Sequence, residues 1–214
     1  QGIDFLNKNN PPVDYYLFTD ADIKHSPENL TLLVTKAERE KLQLASFMVL
    51  LNCDSLWEKL LIPAFVFFFQ KLYPFQWIND PKRTTAGAAG GYLLLKRTAL
   101  DAAGGIDAIR SEIIDDCAIA HMIKKKGPIW LGLTREVKSL RKYTRLSEIW
   151  VMVIRTAFNQ LNYSTLNLLA TIVGMTIIYI VPPLALTIGL LSQDHLLLVL
   201  GALCWLMMTV AYFP

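Results

Sequence analysis

From Leu166 to Leu191 the chain runs 26 residues without a charged side chain. A helix of about 20 apolar residues crosses the hydrocarbon of a bilayer, so this run is long enough to span. A second apolar run, Leu196 to Phe213, follows the short polar hinge Ser192-Gln193-Asp194-His195. Two such runs so closely joined predict a helical hairpin through a membrane. The competing arrangement buries both inside a soluble core, and a chain of 214 residues is small for that.

Charge sets the expected orientation. Between Lys124 and Arg155 lie nine basic residues (Lys124, Lys125, Lys126, Arg135, Lys138, Arg141, Lys142, Arg145, Arg155) against Glu136 and Glu148, whereas the hinge has no Lys or Arg. The positive-inside rule then places residues 1–160 in the cytoplasm, with the basic stretch beside anionic headgroups. A net charge of +3, concentrated at this junction, gives no footprint for nucleic acid. Cys53, Cys117 and Cys204 have neither paired spacing nor a metal-knuckle pattern, in keeping with a reducing compartment. His25, His121 and His195 are scattered, and none has a ligand-spaced partner.

The chemistry-bearing residues precede the spans. Tyr15-Tyr16-Leu17-Phe18-Thr19 reads as a buried strand that ends in Asp20-Ala21-Asp22. A helix start follows, with Ser26 as N-cap, Pro27 at the first helical position and Glu28 in the first turn. Two acids at the carboxyl end of a strand sit where open α/β sheets bind ligands. Their mutual repulsion is relieved by a hard divalent cation carrying phosphates, although acids there also simply cap turns.

Farther on, Leu30 to Lys41 reads as an amphipathic helix and Gln43 to Leu51 as a strand with Phe47, Val49 and Leu51 on one face. Residues 56–75 are apolar, too short to span, and edged by Trp57, Tyr73, Lys59 and Lys71, so an interfacial segment is expected. The loop from Trp77 to Thr85 leads into Ala86-Gly87-Ala88-Ala89-Gly90-Gly91, then a strand from Tyr92 and a short helix ending at Gly104-Gly105. Glycines before a strand allow close backbone approach, but they are no phosphate loop. Asp115-Asp116 opens another amphipathic helix. Acids there answer the helix dipole, and a carboxylate crowded by a like charge also suits a general base. Lys124–Lys126 read as the solvated end of that helix.

Taken in this order, the motifs resemble the inverting family 2 glycosyltransferases of the GT-A fold over residues 3 to 165. Phe18-Thr19-Asp20-Ala21-Asp22, Trp77-Ile78-Asn79-Asp80-Pro81, the glycine-rich segment, Ile114-Asp115-Asp116-Cys117 and Arg155-Thr156-Ala157-Phe158-Asn159-Gln160-Leu161 look most like the hopene-associated members. The resemblance implies an α/β, Rossmann-like catalytic domain at 1–160, N-terminally truncated, and a transmembrane hairpin at 165–214, cut short at its C-terminus. It implies a nucleotide-sugar donor, a membrane-lipid acceptor such as a hopanoid, and Mg²⁺ or Mn²⁺. Asp22 would ligate the metal, Asp20 would lie by the ribose or metal, and Asp116 would be the catalytic base. Asp115, Gly90, Gly91, Gln160 and Arg155 would line the substrates. The implied location is the bacterial plasma membrane, with the catalytic domain cytoplasmic.

One departure stands out. Many membrane-bound members carry Gln-x-x-Arg-Trp near the first span, whereas here Gln160-Leu161-Asn162-Tyr163-Ser164 lacks the Arg and the Trp. Processive polymer synthesis is therefore disfavoured. Ceramide or polyprenyl phosphate are the alternative acceptors, and a non-catalytic membrane scaffold of the same fold is the rival class. A transporter is disfavoured because Leu166–Leu191 holds no ionisable Asp, Glu, Lys, Arg or His.

Overall fold

The computed structural model describes residues 2–9, 12–110, 114–161 and 163–212. Its elements are α1 (Gly2–Asn9), β1 (Tyr15–Thr19), β2 (Ile23–Lys24), α2 (Pro27–Arg39), β3 (Leu44–Leu50), α3 (Leu56–Leu72), α4 (Phe75–Asn79), β4 (Tyr92–Lys96), α5 (Arg97–Ala102), α6 (Asp115–Lys124), β5 (Ile129–Ser139), α7 (Leu146–Gln160), α8 (Thr165–Tyr179), α9 (Val181–Ser192) and α10 (His195–Tyr212). The chain divides into two compact units, Gln1–Met152 and Val153–Pro214.

The first unit is built on a mixed sheet of order β1-β4-β3-β5-β2, in which β3 and β5 are parallel and the other pairs antiparallel. Apolar residues line both faces of its central strands. Leu44 and Met48 of β3 join Leu93, Leu95, Ile123 and Leu131 in one core, while Ala45 and Val49 join Leu33, Ala37, Leu94 and Val137 in the other. A sheet covered on both sides needs such strands. The expected Phe47–Val49–Leu51 face is the one packed with α2 residues; the opposite face, with Leu44 and Met48, is equally buried.

Only Asp20, Ala21 and Asp22 separate β1 from β2, at opposite ends of the strand order. Four strand spacings cover about 19 Å, yet the four Cα steps from Thr19 to Ile23 reach at most about 14 Å. The carboxyl half of β5 therefore bends over the end of the sheet to meet β2. The register between β3 and β5 shifts between Met48 and Leu50, where this bend begins.

Several segments differ from the sequence reading. The strand β2 stands between the acidic turn and α2, and Ser26 N-caps α2 without a capping bond to its side chain; it accepts instead from Asn29 Nδ2 (2.9 Å). Trp77-Ile78-Asn79 belong to a helical turn, because Ile78 fills the core and Asn79 pairs with β5 in the manner of a strand. Asn79 Nδ2 donates to Leu131 O (3.0 Å) and its Oδ1 accepts from Leu131 N (2.8 Å). Lys124 is half-buried rather than fully solvated: its ammonium donates to the carbonyls of Ile78 and Asp80, and burial pulls its pKa down. The 11-residue strand β5 lies inside the stretch read only as basic. Of the stretches read above, Asn162 within Gln160-Leu161-Asn162-Tyr163-Ser164 and Phe213 at the end of the second apolar run lie outside the described residues.

In the second unit, two stretches are long and apolar enough to cross a membrane, Thr165–Ser192 and His195–Tyr212. The first is not one regular helix. It breaks at Ile180, because Pro182 and Pro183 lack the N–H groups that would continue the ladder. Beyond the break α9 packs closely on α10. A Cβ on Gly189 would lie 2.5 Å from the Leu198 nitrogen, and one on Gly201 2.5 Å from that of Leu186, the close approach that small residues permit between apolar helices.

One carboxylate fastens the start of α3 to the end of the sheet. Ser55-x-x-Glu58 forms a capping box: Ser55 Oγ accepts from Glu58 N, and Glu58 Oε2 accepts from Ser55 N (2.8 Å) and Asp54 N (3.0 Å). Its other oxygen accepts from Tyr143 N (2.6 Å), Ser55 Oγ donates to Tyr143 O, and Asn52 Nδ2 donates to Arg141 O. Glu58 is 1% exposed. The Tyr143 N–H, then that of Ser55, holds its carboxyl below the usual glutamate range. A depressed folded pKa gives stability that is present above the ordinary glutamate value and lost as pH falls through the folded one. In Glu58→Gln a single amide oxygen would have to serve three N–H donors. The expected loss is about 1.5–3 kcal/mol, read as faster hydrogen exchange at the Ser55 and Tyr143 amides at neutral pH, with a smaller difference from wild type in acid. Equal exchange at neutral pH would contradict this role.

Candidate active site

β1, β3 and β5 all end at one edge of the sheet, and antiparallel β4 begins there. The acidic turn, the glycine-rich segment and the start of α6 meet at this edge. Asp116 Oδ2 accepts from Gly90 N at 2.8 Å, and Oδ1 from Cys117 N at 2.7 Å. Asp115 Oδ1 in turn accepts from Asp116 N at 3.0 Å. Gly90 is required by closeness: a Cβ there would sit 3.3 Å from Asp116 Oδ2.

The glycine-rich segment is itself held from the sheet. Ser46 of β3, fully buried, donates from Oγ to Ala89 O and accepts from Ala89 N, each at 2.9 Å. Ala88 and Ala89 are buried as well, and Cys117 Sγ lies 3.8 Å from Ala88 O. One buried hydroxyl thus fixes the residue before the N–H that meets Asp116. Ser46 had no signal in the sequence, because a serine in an apolar strand resembles any tolerated small residue.

Burial pushes the Asp116 carboxyl up, and the Cys117 and Gly90 N–H groups only partly offset it; neighbouring Asp115 adds to the rise. Burial, with Asp116 beside it, pushes the Cys117 thiol up to about 12, so it stays protonated and is no nucleophile. Asp116 is therefore a carboxyl whose ionised form is poorly compensated, at the mouth of a strand edge.

Asp20 follows the Thr19–Tyr92 pair, so it lies one residue beyond that pair as Gly91 does on the other strand. The turn is tight: Ile23 N donates to Asp20 O, and Leu140 N to Asp22 O at 2.7 Å. Among the described residues neither the Asp20 nor the Asp22 side chain has a hydrogen-bond or ion-pair partner. No three His, Cys, Asp or Glu side chains cluster there as a metal cage either. Two free hard oxygen donors suit Mg²⁺ or Mn²⁺, which bind through one or two carboxylates and complete their shell with water and phosphate. The residues fit such an ion.

The structure joins Asp116, Asp115 and Gly90 by direct bonds and sets Gly91, Asp20 and Asp22 on the same edge. Among the described residues no hydrogen bond links Asp20 or Asp22 to Asp116. Arg155 and Gln160 lie on the carboxyl half of α7, in the second unit.

Ser46→Ala leaves the buried Ala89 N–H without a partner, at about 1–3 kcal/mol, and takes from Ala89 O its shorter hydrogen bond, leaving the 3.5 Å bond from Tyr92 N, at about 0.5–1.5 kcal/mol more. We expect a stability loss of about 2–4 kcal/mol in denaturant unfolding; an unchanged midpoint would show that the loop stands without Ser46.

Comparison with known proteins gives one family match. The model of glycosyl transferase family 21 matches residues 11–213, and no curated protein matches the chain. The mixed α/β unit followed by apolar helices agrees with a GT-A-like glycosyltransferase domain and membrane helices. The glycosyltransferase expectation is thus met, under family 21 where the motifs had pointed to family 2. An acidic sheet edge, a half-buried carboxyl held by a glycine N–H and an apolar helical tail belong here to one lineage: the chain is a member of glycosyl transferase family 21.

Proposed function

We propose that this chain transfers a sugar from a nucleotide-sugar donor to a hydroxyl of a membrane lipid, with inversion at the anomeric carbon. The observation that carries the reading is Asp116, a half-buried carboxyl bonded to the Gly90 N–H and with a raised pKa, at the sheet edge that also bears Asp20 and Asp22. As general base, Asp116 takes the proton from the acceptor hydroxyl. The acceptor oxygen forms the new bond to the anomeric carbon while the bond to the diphosphate breaks, and the electron pair leaves with the nucleoside diphosphate. The Gly90 N–H orients the carboxylate, and burial, with neighbouring Asp115 adding to it, keeps its proton affinity high. Asp20 and Asp22 would hold Mg²⁺ or Mn²⁺, which neutralises charge on the departing diphosphate.

Ceramide is the acceptor that fits family 21, and it replaces a hopanoid as the leading candidate; hopanoid and polyprenyl phosphate remain as comparisons in the assay. The two apolar stretches and the basic run before them support a membrane location with the first unit on the cytoplasmic side. The bacterial plasma membrane follows only from the hopene-associated resemblance.

The test is nucleoside-diphosphate release by the full-length protein in nanodiscs, across nucleotide sugars and lipid acceptors. Release should need acceptor lipid, stop with chelator and return with Mn²⁺. Asp116→Asn should lower turnover by about 100-fold or more while donor still binds. Since the base works deprotonated, activity should fall on the acid side with a midpoint above the ordinary aspartate range. Near-normal turnover by Asp116→Asn would remove it as the base.

A further inference from the structure

We propose that α7 lies in the plane of the bilayer as an interfacial helix, its outward face immersed at the boundary between headgroups and acyl chains. The inference rests on the membrane location proposed above, but its test does not depend on turnover.

Trp150 is 62% exposed, Val151 64%, Ile154 52% and Phe158 38%, and Leu146 is exposed too. At about 100° per residue, Leu146, Trp150, Ile154, Phe158 and Val151 fall within an arc of about 140°. Ser147 is the one polar residue within it, and Arg155 stands at its margin. The opposite side holds buried Ile149 and half-buried Met152, Val153 and Thr156. The helix is apolar on both sides, and among the described residues the outer arc is left uncovered.

A continuous apolar arc with a tryptophan at its middle is not left in water without a partner. The chain itself indicates which partner. Five Cα steps separate Gln160 from Thr165, where the first membrane-length stretch begins, so these points lie within about 18 Å. The link is also closed: Tyr163 N donates to Phe158 O (3.0 Å), Ser164 N to Leu161 O, and the rings of Phe158 and Tyr163 meet edge-on at 5.5 Å. The carboxyl end of α7 is therefore tied to the depth at which α8 enters the membrane. The charges around the helix agree with a lipid surface. Arg141, Lys142 and Arg145 precede it, exposed, and Arg155 is placed to lift its guanidinium to the headgroups. Glu148 faces back onto the Thr144 and Arg145 N–H groups and adds no charge to the arc. A helix with these features sinks its apolar face about 5–10 Å into the boundary.

The test uses the full chain in liposomes of phosphatidylcholine and phosphatidylglycerol, with bromine placed on the acyl chain near the headgroup. The Trp150 component is the difference in fluorescence between wild type and Trp150→Phe. It should fall by about half or more in the brominated lipid and resist aqueous iodide, as an interfacial indole does. Quenching by iodide but not by bromine would put the arc in water, and quenching by neither would mean that protein covers it; either result overturns the proposal. If Trp150→Phe does not reconstitute, Val151→Trp, compared with wild type, gives a second reporter on the same face with the same expected outcomes.

Discussion

The hydrogen bond from the Gly90 N–H to Asp116 joins the three parts on which the site depends. It ties the glycine-rich segment, fixed from β3 through Ser46, to the first turn of α6. A carboxylate taken out of water needs compensation, and its extent decides what the group does. Glu58 receives three backbone N–H bonds, and its carboxyl is held low. Asp116 receives two, and burial outweighs them, so its carboxyl is pushed up. The first is suited to hold loops together and the second to exchange a proton.

The Glu58 carboxylate and the Asp22 backbone carbonyl both shape the sheet edge. Glu58 ties α3 to the segment after β5, the strand that bends over the edge to reach β2. Asp22 accepts from Leu140 in the same segment through its backbone carbonyl, which leaves its side chain free. Among the described residues the bonds of the acidic turn are made through its main-chain groups, and its two carboxylates stay open to the ion and phosphates proposed above.

Much of this was legible in the sequence because it rests on local patterns. The strand ending at Thr19, the helix opened by Asp115 and the break at Gly104-Gly105, both at positive φ, follow from periodicity, the helix dipole and glycine's freedom. The missed features depend on distant partners. β5 carries Arg135, Glu136 and Lys138 because its carboxyl half leaves the sheet interior, and those charges masked a strand whose first half is buried. Lys124 looked solvated until the carbonyls of Ile78 and Asp80, more than 40 residues away, came within reach. Ser46 was silent for the same reason, whereas Ser55-x-x-Glu58 carries the local signature of a capping box and only its bond to Tyr143 depends on a distant partner. The break at Ile180 was readable from Pro182-Pro183, but the length of the uncharged run hid it.

The central claim is that a single carboxylate, Asp116, deprotonates the acceptor and that no protein nucleophile takes part. The most direct measurement is the anomeric configuration of the product, read by proton NMR from the first turnovers with an α-linked nucleotide sugar. Direct displacement by the acceptor predicts a β-linked glycolipid. An α-linked product would require a second nucleophile or front-face attack, and would contradict the account.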